Sequence, residues 1–137
     1  MKLKIVTPER IVVEDEVESV SCMTTDGSIG ILLHHVPLVT PLAIGVMSYV
    51  KNGQKLPLAV MGGLLKTDGK TVTILSDAAE LSNEIDLVRA QQAKARAEAE
   101  LHTRSDRVEI VHAQQALARA MVRLDLASTA TSHAPHH

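Results

Sequence analysis

At 137 residues the chain has room for one domain, or for one domain with an appendage. A formal net charge of -2 excludes the basic signature of nucleic-acid and membrane-surface binders. An aromatic share of 1%, Tyr49 alone, leaves the core to Val, Ile, Leu and Met.

The first strand is expected at 2–6, where Leu3 and Ile5 alternate with polar residues until Thr7-Pro8 breaks the pattern. Two more are expected at 10–14 and 17–24, joined by an acidic turn at Asp15-Glu16. Cys22, the only cysteine, falls in the second of these and reads as a buried, inert thiol, and no internal disulfide can form. Asp26-Gly27 marks a tight turn. Residues 29–33 form a short apolar run, expected as a buried strand, and 34–41, with two prolines, as a structured loop. A strand over 42–50 returns through Lys51-Asn52-Gly53-Gln54 into 56–61. Gly62-Gly63 suggests a bulge or sharp bend. Leu64 to Lys66, Thr67-Asp68-Gly69-Lys70 and 71–75 give another hairpin. Short strands at this spacing predict an antiparallel β-sandwich over 1–84.

Beyond that point the pattern changes. All seven glycines precede residue 70, six of the seven arginines follow residue 85, and ten of the 43 residues from 85 to 127 are alanine. Asn83 or Asp86 can cap a helix from about 86 to 102. Ser105 or Asp106 can cap a second that ends near 127, and the short polar link between them predicts an antiparallel α-helical hairpin. Residues 128–137 read as a frayed, flexible tail. The expected seam is Leu87, Ala90, Ala97 and Leu101 against Ile110, Ala113, Leu117, Met121 and Leu124. A seam so rich in alanine buries little area, so the hairpin is expected to dock weakly and to have access to more than one arrangement.

Arg89 and Arg96 share one face of the first helix, and Arg119 and Arg123 one face of the second. An antiparallel return brings the later pair toward Arg89 and Asp86, which would form a pocket for phosphates. On spacing alone the plainer reading weighs more: a solvated face pairing with Glu98, Glu100 and Asp125. The seven histidines, among them adjacent His34 and His35, have no metal-ligand spacing. No Walker loop, nucleophile elbow or pair of catalytic carboxylates appears, so no enzyme activity of its own is expected. No apolar run approaches a membrane span, and the amino terminus lacks a signal-peptide apolar region.

Read in order, several motifs resemble the epsilon subunit of F-type ATP synthases. They are Val6-Thr7-Pro8-Glu9, Gly30-Ile31-Leu32 followed by His35-Val36-Pro37-Leu38-Val39-Thr40, Gly62-Gly63, the run from Val72 to Glu80, and Ile85-Asp86-x-x-Arg89-Ala90. The resemblance spans roughly 1–127. It implies a non-catalytic part of the central rotor stalk in a proton- or sodium-driven synthase, peripheral to the cytoplasmic face of a bacterial plasma membrane. The sandwich would bind the gamma subunit and the loops of the membrane rotor ring. The hairpin would either fold down or extend to the alpha and beta subunits of the catalytic head and impede ATP hydrolysis. No cofactor is required, but in nucleotide-binding members ATP holds the hairpin down. The ATP-contacting pattern falls on Glu80, Ile85, Asp86, Arg89, Ala90, Arg96, Arg119 and Arg123. The ring contact falls on Ser28, where many members carry an acid, and on His35. The alternative is a free-standing nucleotide-sensing adaptor.

Overall fold

The computed structural model of the chain describes residues 1–132. Eight strands come first: β1 (Lys2–Val6), β2 (Ile11–Glu16), β3 (Ser19–Thr24), β4 (Gly27–Leu32), β5 (Leu38–Lys51), β6 (Gln54–Thr67), β7 (Thr71–Leu75) and β8 (Ala79–Leu81). A 3₁₀ turn (Ser82–Glu84) leads to helices α1 (Leu87–Thr103) and α2 (Arg107–Ser132). The chain divides into two units, Met1–Leu81 and the remainder from Ser82.

In the first unit the hydrogen-bonded order is β2-β1-β7-β6-β5-β3-β4, with β8 also on β6. Two long strands make this one path into two layers. The segment of β6 from Leu64 pairs with β7, whereas Leu58 to Val60 pair with β8. One end of β5 and β6 thus belongs to the layer of β7, β1 and β2, and the other to the layer of β3, β4 and β8. Gly62 and Gly63, at φ 78 and 123, stand where β6 changes layer. A Cβ on Gly63 would lie 2.0 Å from the Leu75 carbonyl oxygen, so only glycine fits that crossing. Beside it the buried Ser76 hydroxyl bridges the carbonyls of Gly62 (2.6 Å) and Ala78 (2.9 Å). Leu3, Ile5, Val20, Ile31, Leu58, Leu65, Val72 and Ile74 fill the space between the layers. Strand alternation sends each of them inward.

Several expected boundaries move. All pairings are antiparallel except β1 with β7, which is parallel. Asp15 and Glu16 are not a turn. They pair with Leu3 and Lys2, and Lys51 Nζ holds Asp15 at 2.9 Å, so the chain turns at Val17-Glu18 instead. The run at 29–33 is not a buried strand: β4 is an edge that pairs with β3, and Ile31 faces in while Leu32 and Leu33 are exposed. Pro41 lies within β5 opposite Leu64 rather than in a loop. The hairpin at Asn52-Gly53 has both residues at positive φ, as a two-residue primed turn requires.

In the second unit, Asp86 caps α1 by accepting from the Arg89 N–H at 3.1 Å. The helices are joined by Arg104 to Asp106, too short a link for anything but an antiparallel neighbour. Four alanines are buried: Ala90 and Ala97 on α1, Ala113 and Ala120 on α2. Each pair is seven residues apart, and Ala90 and Ala120 are equidistant from Ser105, as are Ala97 and Ala113. Equal rise therefore brings each pair level across the hairpin. Met121, expected in this seam, is exposed, because Ala120 takes the contact position and its small size permits close approach. Leu87 is exposed as well. The helix continues past the expected end near 127, to Ser132, and 133–137 lie outside the described residues.

Candidate functional site

The hairpin arginines are placed by helical arithmetic. At about 100° per residue, Arg89 and Arg96 stand roughly 90–110° from the midline of the Ala90–Ala97 seam of α1. Arg119 and Arg123 stand roughly 110° and 70° from the midline of the Ala113–Ala120 seam of α2. Because the helices run in opposite senses, these displacements bring all four to the same side of the hairpin. Arg123, the nearest to the groove, is half-buried, and the other three are exposed. Arg123 is level with Leu87, two residues from Arg89. Among the described residues Arg89, Arg96 and Arg119 form no ion pair, and Glu98 binds Lys94 at 3.9 Å instead.

The rest of the predicted pattern divides between the units. Ile85 is half-buried before α1, Ala90 is buried in the seam, and the Asp86 carboxylate is committed to its cap. Glu80 lies on β8, in the first unit. Seven of the eight positions therefore belong to one hairpin and one to the sandwich.

The sandwich has exposed features that its motifs did not announce. On the outer face of β2-β1-β7-β6-β5 the register aligns Ile11, Val6, Leu75, Leu64 and Pro41 in one row. Ile11 and Leu75 are each more than half exposed. The row opens into a cleft of about 350 Å³ lined by Val6, Pro8, Leu75, Ser76 and Asp77. Apolar doublets that break strand alternation, Ile5-Val6, Leu64-Leu65 and Ile74-Leu75, were the legible signal: one member faces the core and the other faces out. A second apolar surface follows β4. Leu32 and Leu33 are exposed there, and Val36 reaches 74%. Ser28 and His35 belong to the same strand and turn.

A few titrating groups are perturbed by their surroundings. Burial pushes the Cys22 thiol up to about 11, consistent with an inert core thiol. Burial, and then the Asp15 charge, raise the Tyr49 phenol. Backbone N–H donors of Lys70 and Thr71 hold the Asp68 carboxyl below its usual range. None of these groups is part of an acid–base pair poised for catalysis, and the described residues hold no cluster of His, Cys, Asp or Glu suited to a metal.

Known proteins share this two-part order. Residues 1–82 match the family model described as the ATP synthase delta/epsilon chain β-sandwich domain, and residues 83–128 the model of its long α-helix domain. The chain belongs to the ATP synthase epsilon chain family. An ATP synthase epsilon chain of Herpetosiphon aurantiacus is 44% identical over 127 residues, 93% of each chain. One of Symbiobacterium thermophilum is 45% identical over 128 residues, 93% of this chain and 92% of the relative. In fold, the chain is similar to a subunit of the Euglena gracilis mitochondrial ATP synthase, with a TM-score of 0.78 at 23% identity over 96% of this chain and 80% of that one. Epsilon chains are non-catalytic subunits of the synthase.

Proposed function

We propose that this chain sits in the central stalk of a proton- or sodium-driven rotary ATP synthase, where the sandwich couples the membrane ring to the catalytic head and the hairpin restrains ATP hydrolysis. The observation that carries this reading is the contrast between a well-filled sandwich with two exposed apolar surfaces and a hairpin closed mainly by alanines. Exposed rows of this kind are what a permanent partner covers. The row from Ile11 to Pro41 suits the gamma subunit, and the surface around Ser28, Leu32, His35 and Val36 suits the loops of the ring. Two such surfaces weigh against a free-standing adaptor. Among the described residues no helix is long and apolar enough to cross a membrane, so attachment to the cytoplasmic face of the plasma membrane goes through those partners.

The hairpin is the regulatory part of the proposal. Arg89, Arg96, Arg119 and Arg123 on one side of the hairpin can receive a triphosphate, with Ile85 and Asp86 at the start of α1 available to the nucleoside. Both helices contribute, so ATP stabilises the closed hairpin by its difference in affinity between states. ATP is a regulatory ligand here, not a cofactor. Without it, the extended hairpin reaches the alpha and beta subunits and slows hydrolysis. Hydrolysis by complexes reconstituted with the full chain, or with a chain ending at Glu84, is the test. The shorter chain should leave synthesis coupled and raise hydrolysis. Equal rates would remove the hairpin as a brake.

A further inference from the structure

The turn from β5 to β6 carries the dipeptide most prone to lose a side-chain amide spontaneously. In an Asn-Gly pair the glycine nitrogen can attack the asparagine Cγ, because the following residue has no side chain to stand in its way. Asn52-Gly53 is that pair, and Asn83, the chain's other asparagine, is followed by Glu84 instead. Asn52 and Gly53 are both exposed, and among the described residues nothing bonds the Asn52 side chain. Its amide is free to react.

The nitrogen that would attack it is held. The Gly53 N–H donates to Glu18 Oε1 at 2.9 Å. Glu18 is anchored in turn, since its own N–H donates to the Val50 carbonyl at 2.7 Å. Lys51 Nζ holds Asp15 at 2.9 Å. The end of β2 and the turn after it thus grip the β5–β6 turn, but only Glu18 engages the reacting nitrogen. Lys51 pairs with Gln54 across that turn, with Asn52 at φ 53 and Gly53 at φ 75 between them.

Glu18 opposes the reaction in two ways. It holds the hydrogen that the nitrogen must lose, and its charge disfavours the negative charge that the nitrogen would then carry. A carboxylate is far too weak a base to take an amide proton, so it does not promote the step.

We propose that Asn52 is a latent deamidation site and that Glu18 is the latch that keeps it closed. When the latch opens, the Gly53 nitrogen gives its proton to a solvent base and bonds to Asn52 Cγ. The Cγ–Nδ2 bond breaks, and Nδ2 takes a proton from water and leaves as ammonia. Water then opens the cyclic imide at either carbonyl, which leaves aspartate or isoaspartate at 52. Either product places a second carboxylate near Glu18, and the like charges oppose reclosure. Isoaspartate also lengthens the main chain of a two-residue turn whose geometry fits one length. The change is therefore one-way.

Incubation of the full chain in warm neutral buffer, followed by peptide mapping of aspartate and isoaspartate at 52, tests this, with Asn83 as the internal reference. Glu18→Ala should convert about three- to tenfold faster than wild type, the value of one exposed hydrogen bond. Glu18→Gln, which keeps an acceptor without the charge, should lie between them. Conversion no faster in Glu18→Ala than in wild type would overturn the proposal, and slower conversion in Glu18→Gln would do so by making Glu18 a base. Amide hydrogen exchange separates the latch from a general loosening. Exchange at Gly53 should rise in Glu18→Ala by a similar factor while the core amides of Leu58 and Val60 keep their rates. If exchange at Gly53 rises and conversion at 52 does not, the bond shelters nothing and the proposal falls. If the core amides accelerate as much as Gly53, the effect is global unfolding and the proposal falls as well.

Discussion

Leu3, Ile5, Ile31, Leu58, Leu65 and Ile74 are fully buried in the sandwich, whereas the hairpin's buried residues are Ala90, Ala97, Ala113 and Ala120, joined by Leu126. A buried leucine or isoleucine contributes roughly 1.5–3 kcal/mol, and a methyl group about 0.8. One region therefore has a core that fixes a single arrangement. The other has helices made stable by their own propensity and only lightly bound to each other. Such a pair can exchange one neighbour for another at small cost, which is what a movable brake on a fixed mount requires. In the proposed role, the small residues of the seam are what would let the hairpin move.

The comparison breaks most sharply at Gly63. Gly63→Ala should cost roughly 3 kcal/mol or more, since it combines a positive φ with a collision against the Leu75 backbone. Thermal melts followed at Tyr49 should show the loss. A melt within a degree of wild type would mean that β6 can change layer without a bare backbone.

Next in size are the arginines. Arg119→Ala and Arg123→Ala should each remove a charge-assisted contact of roughly 1.5–3 kcal/mol and weaken ATP binding by about one to two decades, with no change in the sandwich melt. Titration calorimetry at low and physiological salt would register the loss. Unchanged affinity in both variants would exclude the pocket built from these groups.

Ala120→Leu sharpens the contrast from the other direction. A larger side chain in the seam should part the helices at a cost of roughly 1–3 kcal/mol. Helical circular dichroism should fall while the Tyr49 melt stays where it was. A coincident drop in both would show the regions to be one cooperative unit.

The smallest effect concerns pH and belongs to the sandwich alone. The Asp68 carboxyl is held below its usual range by the Lys70 and Thr71 N–H groups, so the folded state binds fewer protons there than the unfolded chain. Its stabilisation is present above the ordinary carboxylate range, near 3.9, and is lost as pH falls through the lower folded value. The gap in melting temperature between wild type and Asp68→Ala should be constant above about pH 5 and close below it. A gap that persists in acid would assign the effect to something other than the charge.

Periodicity made the hairpin legible. Glycine and asparagine turns did the same for most strands, because both signals are local. The errors arose where a distant neighbour decides. Asp15 and Glu16 look like a turn until β1 and Lys51 supply partners. Pro41 looks like a loop residue until β6 pairs beside it. β8 is three residues long and exists through its pairing with β6, which no local pattern encodes. Met121 outranks Ala120 on hydrophobicity, yet the close approach of two helices selects the smaller side chain. Of the candidate site, the arginine faces followed from spacing alone. The ligand assignment rested on family resemblance.

The central claim is that a ligand-responsive hairpin is carried by a sandwich that does not respond. Amide NMR of the full chain during titration with ATP tests it most directly. Shifts should concentrate at Ile85, Asp86, Arg89 and Ala90, at Arg119 and Arg123 and along the alanine seam, while core amides such as Leu65, Val72 and Ile74 hold their positions. No shift at millimolar ATP, or shifts spread through the sandwich core, would contradict the account.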